Sequence, residues 1–89
     1  MLTHVKTNTE EYYIDENGNI QGECKSYYQN GKLRAICNCV NGRYHGEYKL
    51  YHDNGELDII CNCVNGDMHG DYKSYYQNGQ LRDISSVLS

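Results

Sequence analysis

Apolar and polar residues alternate with a period of two along most of the chain, and Asn-Gly dipeptides cut the alternation into short runs. It is most regular in Leu-Arg-Ala-Ile-Cys-Asn-Cys-Val (Leu33–Val40) and Leu-Asp-Ile-Ile-Cys-Asn-Cys-Val (Leu57–Val64). Such alternation marks a half-buried strand, whose successive side chains point to opposite faces. Helical spacing of apolar residues is nowhere evident. The punctuation falls at Asn17-Gly18, Asn30-Gly31, Asn41-Gly42, Asn54-Gly55, Asn65-Gly66 and Asn78-Gly79. Asn-Gly between strand-forming runs signals a hairpin, because a type I′ turn needs positive φ at both central residues. The glycines are spaced alternately 13 and 11 residues apart, so the repeating unit is 24 residues and holds two strands. The pattern predicts an all-β fold: an antiparallel β-hairpin repeat meander in one elongated, twisted single sheet over residues 12–89. Residues 1–11 lack the repeat and read as a partly ordered N-terminal lead-in.

Treating each Asn-Gly as a two-residue loop fixes a register. Val40 then faces Arg43, Cys39 faces Tyr44, Cys37 faces Gly46, Ala35 faces Tyr48 and Leu33 faces Leu50. Across the next turn His52 faces Leu57, Leu50 faces Ile59, Tyr48 faces Cys61 and Gly46 faces Cys63. One face collects Leu33, Ala35, Cys37, Cys39, Tyr44, Gly46, Tyr48, Leu50, Leu57, Ile59, Cys61 and Cys63, interrupted by His52. The other collects Arg34, Asn38, Arg43, His45, Glu47, Lys49, Asp58 and Asn62, with Ile36, Val40, Tyr51, Ile60 and Val64 among them. A slip of one residue would scramble this separation. Gly22, Gly46 and Gly70 recur within strands of the apolar face, where a glycine marks a bulge or the close approach of another group. A neighbouring Tyr or Cys side chain is the expected visitor.

The recurring Gly-Glu-x-Lys-x-Tyr-x-x-Asn-Gly-x-Leu, followed by Val-Asn-Gly-x-x-His-Gly, resembles the MORN repeat. It is most similar to the variant found in antitoxin-like bacterial proteins and in repeat proteins of giant DNA viruses. The matching segments are Gly22 to Leu33, Gly46 to Leu57 and Gly70 to Leu81, joined by Asn41 to Gly46 and Asn65 to Gly70. The resemblance implies a string of β-hairpins in a curved sheet, used for scaffolding, dimerisation or docking. An antitoxin-like or membrane-lipid-associated regulator is the alternative it implies. It brings no shared catalytic residues. The chain departs from the commoner form in lacking Trp, in carrying Cys-x-Cys and in being acidic.

Composition narrows this further. Eighty-nine residues make one domain at most. A net charge of -4 and a pI of about 5.4 argue against a nucleic-acid partner, which calls for clustered Lys and Arg, and against an anionic membrane surface. No apolar run is long enough to span a bilayer, and the N-terminus is too polar for a secretory signal. Five cysteines without such a signal suggest free thiols in a reducing cytoplasm, that of the host if the chain is viral.

The cysteines are the sharpest candidates for chemistry. Two Cys-x-Cys pairs plus Cys24, with His45 and His69 nearby in sequence, raise a zinc site. The register disfavours it: Cys61 and Cys63 stand two strands, roughly 10 Å, from Cys37 and Cys39. A structural zinc ion needs four donors, with sulfurs at about 2.3 Å. No metal, cofactor or catalytic residue is expected, and the cysteines read as small core residues. Cys24 falls directly opposite Cys37, close enough for oxidation to bridge them. Tyr27, Tyr51 and Tyr75 recur on the polar face beside Arg34, Asp58 and Arg82, a pattern that suits cross-strand stabilisation.

An apolar sheet face must be covered, and the chain offers no helix to cover it. The candidate interface is Leu33, Cys37, Cys39, Tyr44, Tyr48, Leu50, Leu57, Ile59, Cys61, Cys63, Tyr72 and Tyr76. The sequence thus predicts a non-enzymatic interaction or scaffold module, a homodimer or other homo-oligomer, with a further protein partner it does not name.

Overall fold

The computed structural model describes residues 1–87, with side chains through Ser86. The strands are β1 (Thr3–Lys6), β2 (Glu10–Ile14), β3 (Gly22–Tyr27), β4 (Leu33–Val40), β5 (Arg43–Tyr44), β6 (Gly46–Tyr51), β7 (Leu57–Val64), β8 (Asp67–Tyr75) and β9 (Leu81–Val87). All pair antiparallel with their neighbours in one sheet of order β1-β2-β3-β4-β6-β7-β8-β9, with β5 added to β4. Among the described residues none is helical, so no helix is available to cross a membrane. The sheet is a plate of 41 × 36 × 12 Å.

Residues 1–11, read from sequence as a lead-in, are themselves sheet. β1 pairs with β2 from Thr3↔Ile14 to Lys6↔Glu11. Thr7 closes the turn, accepting the Glu10 amide at its hydroxyl and donating its own amide to the Glu10 carbonyl. The His4 and Tyr13 rings stack with centroids 4.9 Å apart, and His4 Nε2 lies 2.7 Å from Glu11 Oε2. Cross-strand pairs of this kind hold a short hairpin that has little apolar content.

The Asn-Gly turns are of two kinds. Asn41 and Asn65 have φ of 52° and 53° and precede glycines that are also at positive φ, as type I′ turns require. The other four pairs lack positive φ at Asn. Here the amide of Gly18, Gly31, Gly55 or Gly79 bonds back three residues, to Asp15, Tyr28, His52 or Tyr76, and the amides of those residues bond to Asn19, Lys32, Glu56 and Gln80. These are three-residue loops ending in a left-handed glycine. Asn30, Asn54 and Asn78 stiffen theirs by accepting the amide two residues on.

The extra loop residue is then offset by a bulge. Tyr27 pairs with Leu33, but Ser26 pairs with Ala35, leaving Arg34 as the supernumerary residue. Asp58 and Arg82 take the same place in the next two units. Beyond the bulge the register is the one a two-residue loop gives, including Cys24↔Cys37 and Tyr48↔Cys61. Before it, the predicted pair His52–Leu57 is replaced by Tyr51↔Leu57.

A second correction falls between β5 and β6. Cys39↔Tyr44 holds as predicted, but Ala35 then faces Leu50 rather than Tyr48. The residues His45 to Tyr48 oppose only Cys37 and Asn38, and the His45 amide bonds to the Asn38 carbonyl. The predicted pairs Cys37–Gly46 and Leu33–Leu50 are lost, but a shift of two leaves every side chain on its face. Gly46 has φ +97° and nothing within 4 Å of where its Cβ would stand. Its role is therefore conformational, and the expected visiting side chain is not what selects it.

β4 shows the predicted alternation: Ala35, Cys37 and Cys39 are buried, while Arg34, Asn38 and Val40 are exposed. Among the described residues the buried set is Ala35, Cys37, Cys39, Cys61, Cys63 and Ser74, so nothing larger than cysteine is buried. The opposite face carries an unbroken cross-strand row, Lys6, Glu11, Lys25, Ile36, Lys49, Ile60, Lys73 and Ile84.

Candidate functional site

The apolar face opens into a groove of about 470 Å³ over β2 to β6, with Tyr12, Ile20, Cys24, Cys37, Tyr44 and Tyr48 among its walls. The shift between β5 and β6 builds part of it. By placing extra residues between Tyr44 and Tyr48, it lets their rings meet at 5.4 Å and 53°. Tyr44 remains 45% exposed. Burial raises the hydroxyl pKa of both tyrosines. Both stay neutral at physiological pH and act as apolar bodies with a polar tip.

Arg34 and Arg43 also line the groove. The sequence puts them on the polar face. Arg34 is the bulged residue, and a bulge re-aims a side chain. Its Nε donates to the Ser26 hydroxyl at 3.4 Å, and Ser26 pairs with Ala35 on the apolar face. The bulge moves the leucines the other way. Leu33 and Leu57 stand opposite Tyr27 and Tyr51, so they share the tyrosine face and leave the predicted interface. The tyrosine ladder thus pairs with Leu33, Leu57 and Leu81 rather than with charged partners.

The other predicted interface residues divide by depth. Cys37, Cys39, Cys61 and Cys63 form the floor. Leu50 and Ile59 lie half-buried in the row Glu10, Ser26, Ala35, Leu50, Ile59, Ser74 and Asp83. Tyr72 stands between Cys61 and Ser85, and Tyr76 is exposed at a turn. Ile20 escaped the sequence reading, although one 24-residue step takes it to Tyr44 and a second to Met68.

At the groove floor the fold gathers three thiols. The Sγ atoms of Cys24, Cys37 and Cys39 all lie within 4.8 Å of one another, and Cys24 and Cys39 are 3.4 Å apart. The Cys37 thiol also points at the Cys24 carbonyl, 3.7 Å away. The hydrogen bond with Cys37, and then burial, raise the Cys24 thiol pKa. Burial and Cys24 push Cys39 up to about 12, and burial pushes Cys61 to about 11. All three are neutral thiols near pH 7 rather than nucleophiles.

Contacts from unit to unit recur along both rims of the sheet. On one, Tyr28 donates its hydroxyl to the Tyr51 carbonyl and His52 Nε2 meets the Tyr75 carbonyl. On the other, the Gly42 amide bonds to Ile20 and the Gly66 amide to Tyr44. The structural unit is thus the 24-residue sequence period, and the family model of the MORN repeat variant matches residues 20–41, 44–65 and 68–86. The chain belongs to the MORN repeat variant family. Its three MORN repeats make up β3 to β9, with the β1–β2 hairpin ahead of them. MORN repeats are generally non-catalytic and commonly take part in protein or membrane-lipid interaction. No curated protein and no solved structure matches the chain.

Proposed function

We propose that this MORN protein is a non-enzymatic interaction module that self-associates through its grooved face, in the cytoplasm. The observation that carries the reading is the imbalance of that face. Its buried floor holds nothing larger than cysteine, while Tyr44 and Met68 remain 45% and 39% exposed above it. An exposed apolar surface of this kind is characteristic of an interface.

The pattern of charge favours a second copy as the occupant. Arg34 and Arg43 line the groove in the first half of the chain, and one period on the same places hold Asp58 and Asp67. Lys32 becomes Glu56 by the same step. A two-fold pairing that lays the first repeat over the second repeat of its partner sets opposite charges against each other at each place. The net charge of -4 works against an anionic lipid surface.

Sedimentation equilibrium is expected to find a dimer at micromolar concentration. Arg34→Asp weakens it, and adding Asp58→Arg restores it. A strict monomer in the parent, or no restoration in the double variant, overturns the reading. Flotation with anionic vesicles is expected to leave the protein in the soluble fraction.

A further inference from the structure

We propose that Cys24, Cys37 and Cys39 bind one soft monovalent metal ion of the Cu(I) type in three-coordinate thiolate geometry. Three metal–sulfur bonds of about 2.3 Å place the sulfurs at the corners of a triangle with edges of about 4 Å. The three Sγ atoms already lie within 4.8 Å of one another, with one edge at 3.4 Å. No edge exceeds that of the triangle by more than about 1 Å.

The donor set selects the ion. Among the described residues no His, Asp or Glu joins the three sulfurs. Structural zinc takes four donors, whereas thiolates alone suit soft Cu(I). The zinc geometry weighed from sequence drew four thiolates from two repeats; here three come from one hairpin.

The repeat supplies an independent argument. Cys24 stands where the next two repeats carry Tyr48 and Tyr72. The second Cys-x-Cys pair therefore faces tyrosines, with Cys61 between Tyr48 and Tyr72, and has no third sulfur. The one repeat with cysteine at this place is the one in which three thiols converge.

The surroundings suit an anionic complex. Three thiols and Cu(I) give a tris-thiolate of charge -2, each new Cu–S bond replacing an S–H bond whose proton passes to solvent. Arg34 and Arg43 line the same groove, against the carboxylate of Glu10, and offset part of that charge. The site lies within one chain and does not depend on self-association.

The test is an anaerobic titration of the fully reduced protein with Cu(I) against a chromogenic Cu(I) chelator. One Cu(I) per chain is expected to be withdrawn from the chelator, with three sulfur neighbours and no nitrogen in the X-ray absorption spectrum. Cys24→Tyr, which installs the residue carried at the equivalent places, is expected to keep the sheet by circular dichroism and to weaken Cu(I) binding at least tenfold. Cys61→Ser is expected to leave it unchanged. The proposal is overturned if Cys24→Tyr binds as tightly as the parent, if binding requires Cys61 or Cys63, or if the protein takes up Zn(II) but fails to compete for Cu(I).

Discussion

The Tyr28 hydroxyl reaches past β4 and donates a 2.6 Å hydrogen bond to the Tyr51 carbonyl. One period later His52 Nε2 does the same at 2.9 Å from the Tyr75 carbonyl, so this nitrogen carries the proton. Two different side chains thus make one inter-repeat contact. A typical hydrogen bond contributes about 1 kcal/mol net. Tyr28→Phe, which keeps the ring, is expected to destabilise the fold by about that amount in urea unfolding. Tyr28→Ala, which also loses the packing, is expected to cost more. Equal effects of the two would mean the hydroxyl contributes nothing.

Gly46→Ala is expected to cost roughly 1–2 kcal/mol although nothing crowds the site, because an L-residue resists a left-handed backbone. D-alanine placed there by chemical synthesis is expected to be tolerated. If both forms destabilise equally, space and not φ is the constraint.

These two positions show what the sequence conveys. The strand segments around Cys24, Cys37 and Cys61 were legible because alternation and the period fix them independently. The turns were not, because one dipeptide serves two backbone forms. Asn41-Gly42 and Asn54-Gly55 read alike, yet only the first has both residues at positive φ. The two errors at each three-residue loop cancel: the added loop residue Gly31 is offset by the bulge at Arg34. Register beyond the bulge survived, whereas the side assigned to Arg34 and Leu33 did not. The three-thiol cluster was half legible. Cys24 opposite Cys37 follows from register, but the approach of Cys39 is a diagonal contact that pairing rules do not rank.

Acid is expected to loosen the N-terminal hairpin. The hydrogen bonds from His4 first and Tyr27 second hold the Glu11 carboxyl below its ordinary 4.5. A depressed folded-state value means that the contribution is fully present above about pH 4.5 and is lost as pH falls through the lowered value. Hydrogen exchange should show β1 and β2 losing protection in that window before β6 to β8. With Glu11→Gln, protection in β1 and β2 should be weaker at neutral pH and less dependent on acid. Unchanged acid sensitivity in this variant would assign the effect elsewhere, Asp15 being the next candidate since Gln21 holds it low.

Thiol chemistry should follow burial. With Cys39 near 12 and Cys61 near 11, alkylation of both in the native protein at mildly alkaline pH is expected to be at least roughly tenfold slower than in urea. Mild oxidation, two thiols giving up two hydrogens to the oxidant, is expected to bridge Cys24 to Cys37 or Cys39. Peptide mass mapping checks both. A first bridge between Cys61 and Cys63 would contradict the geometry.

The inter-repeat bonds also give the sheet a direction. Tyr28 and His52 reach toward the C-terminus for a carbonyl, whereas the Gly42 and Gly66 amides reach back toward the N-terminus for theirs. Cut at Asn41–Gly42 or at Asn65–Gly66, each fragment would keep one donor and one acceptor on opposite rims of the exposed edge. Such fragments would rejoin in a single orientation, as a keyed joint does.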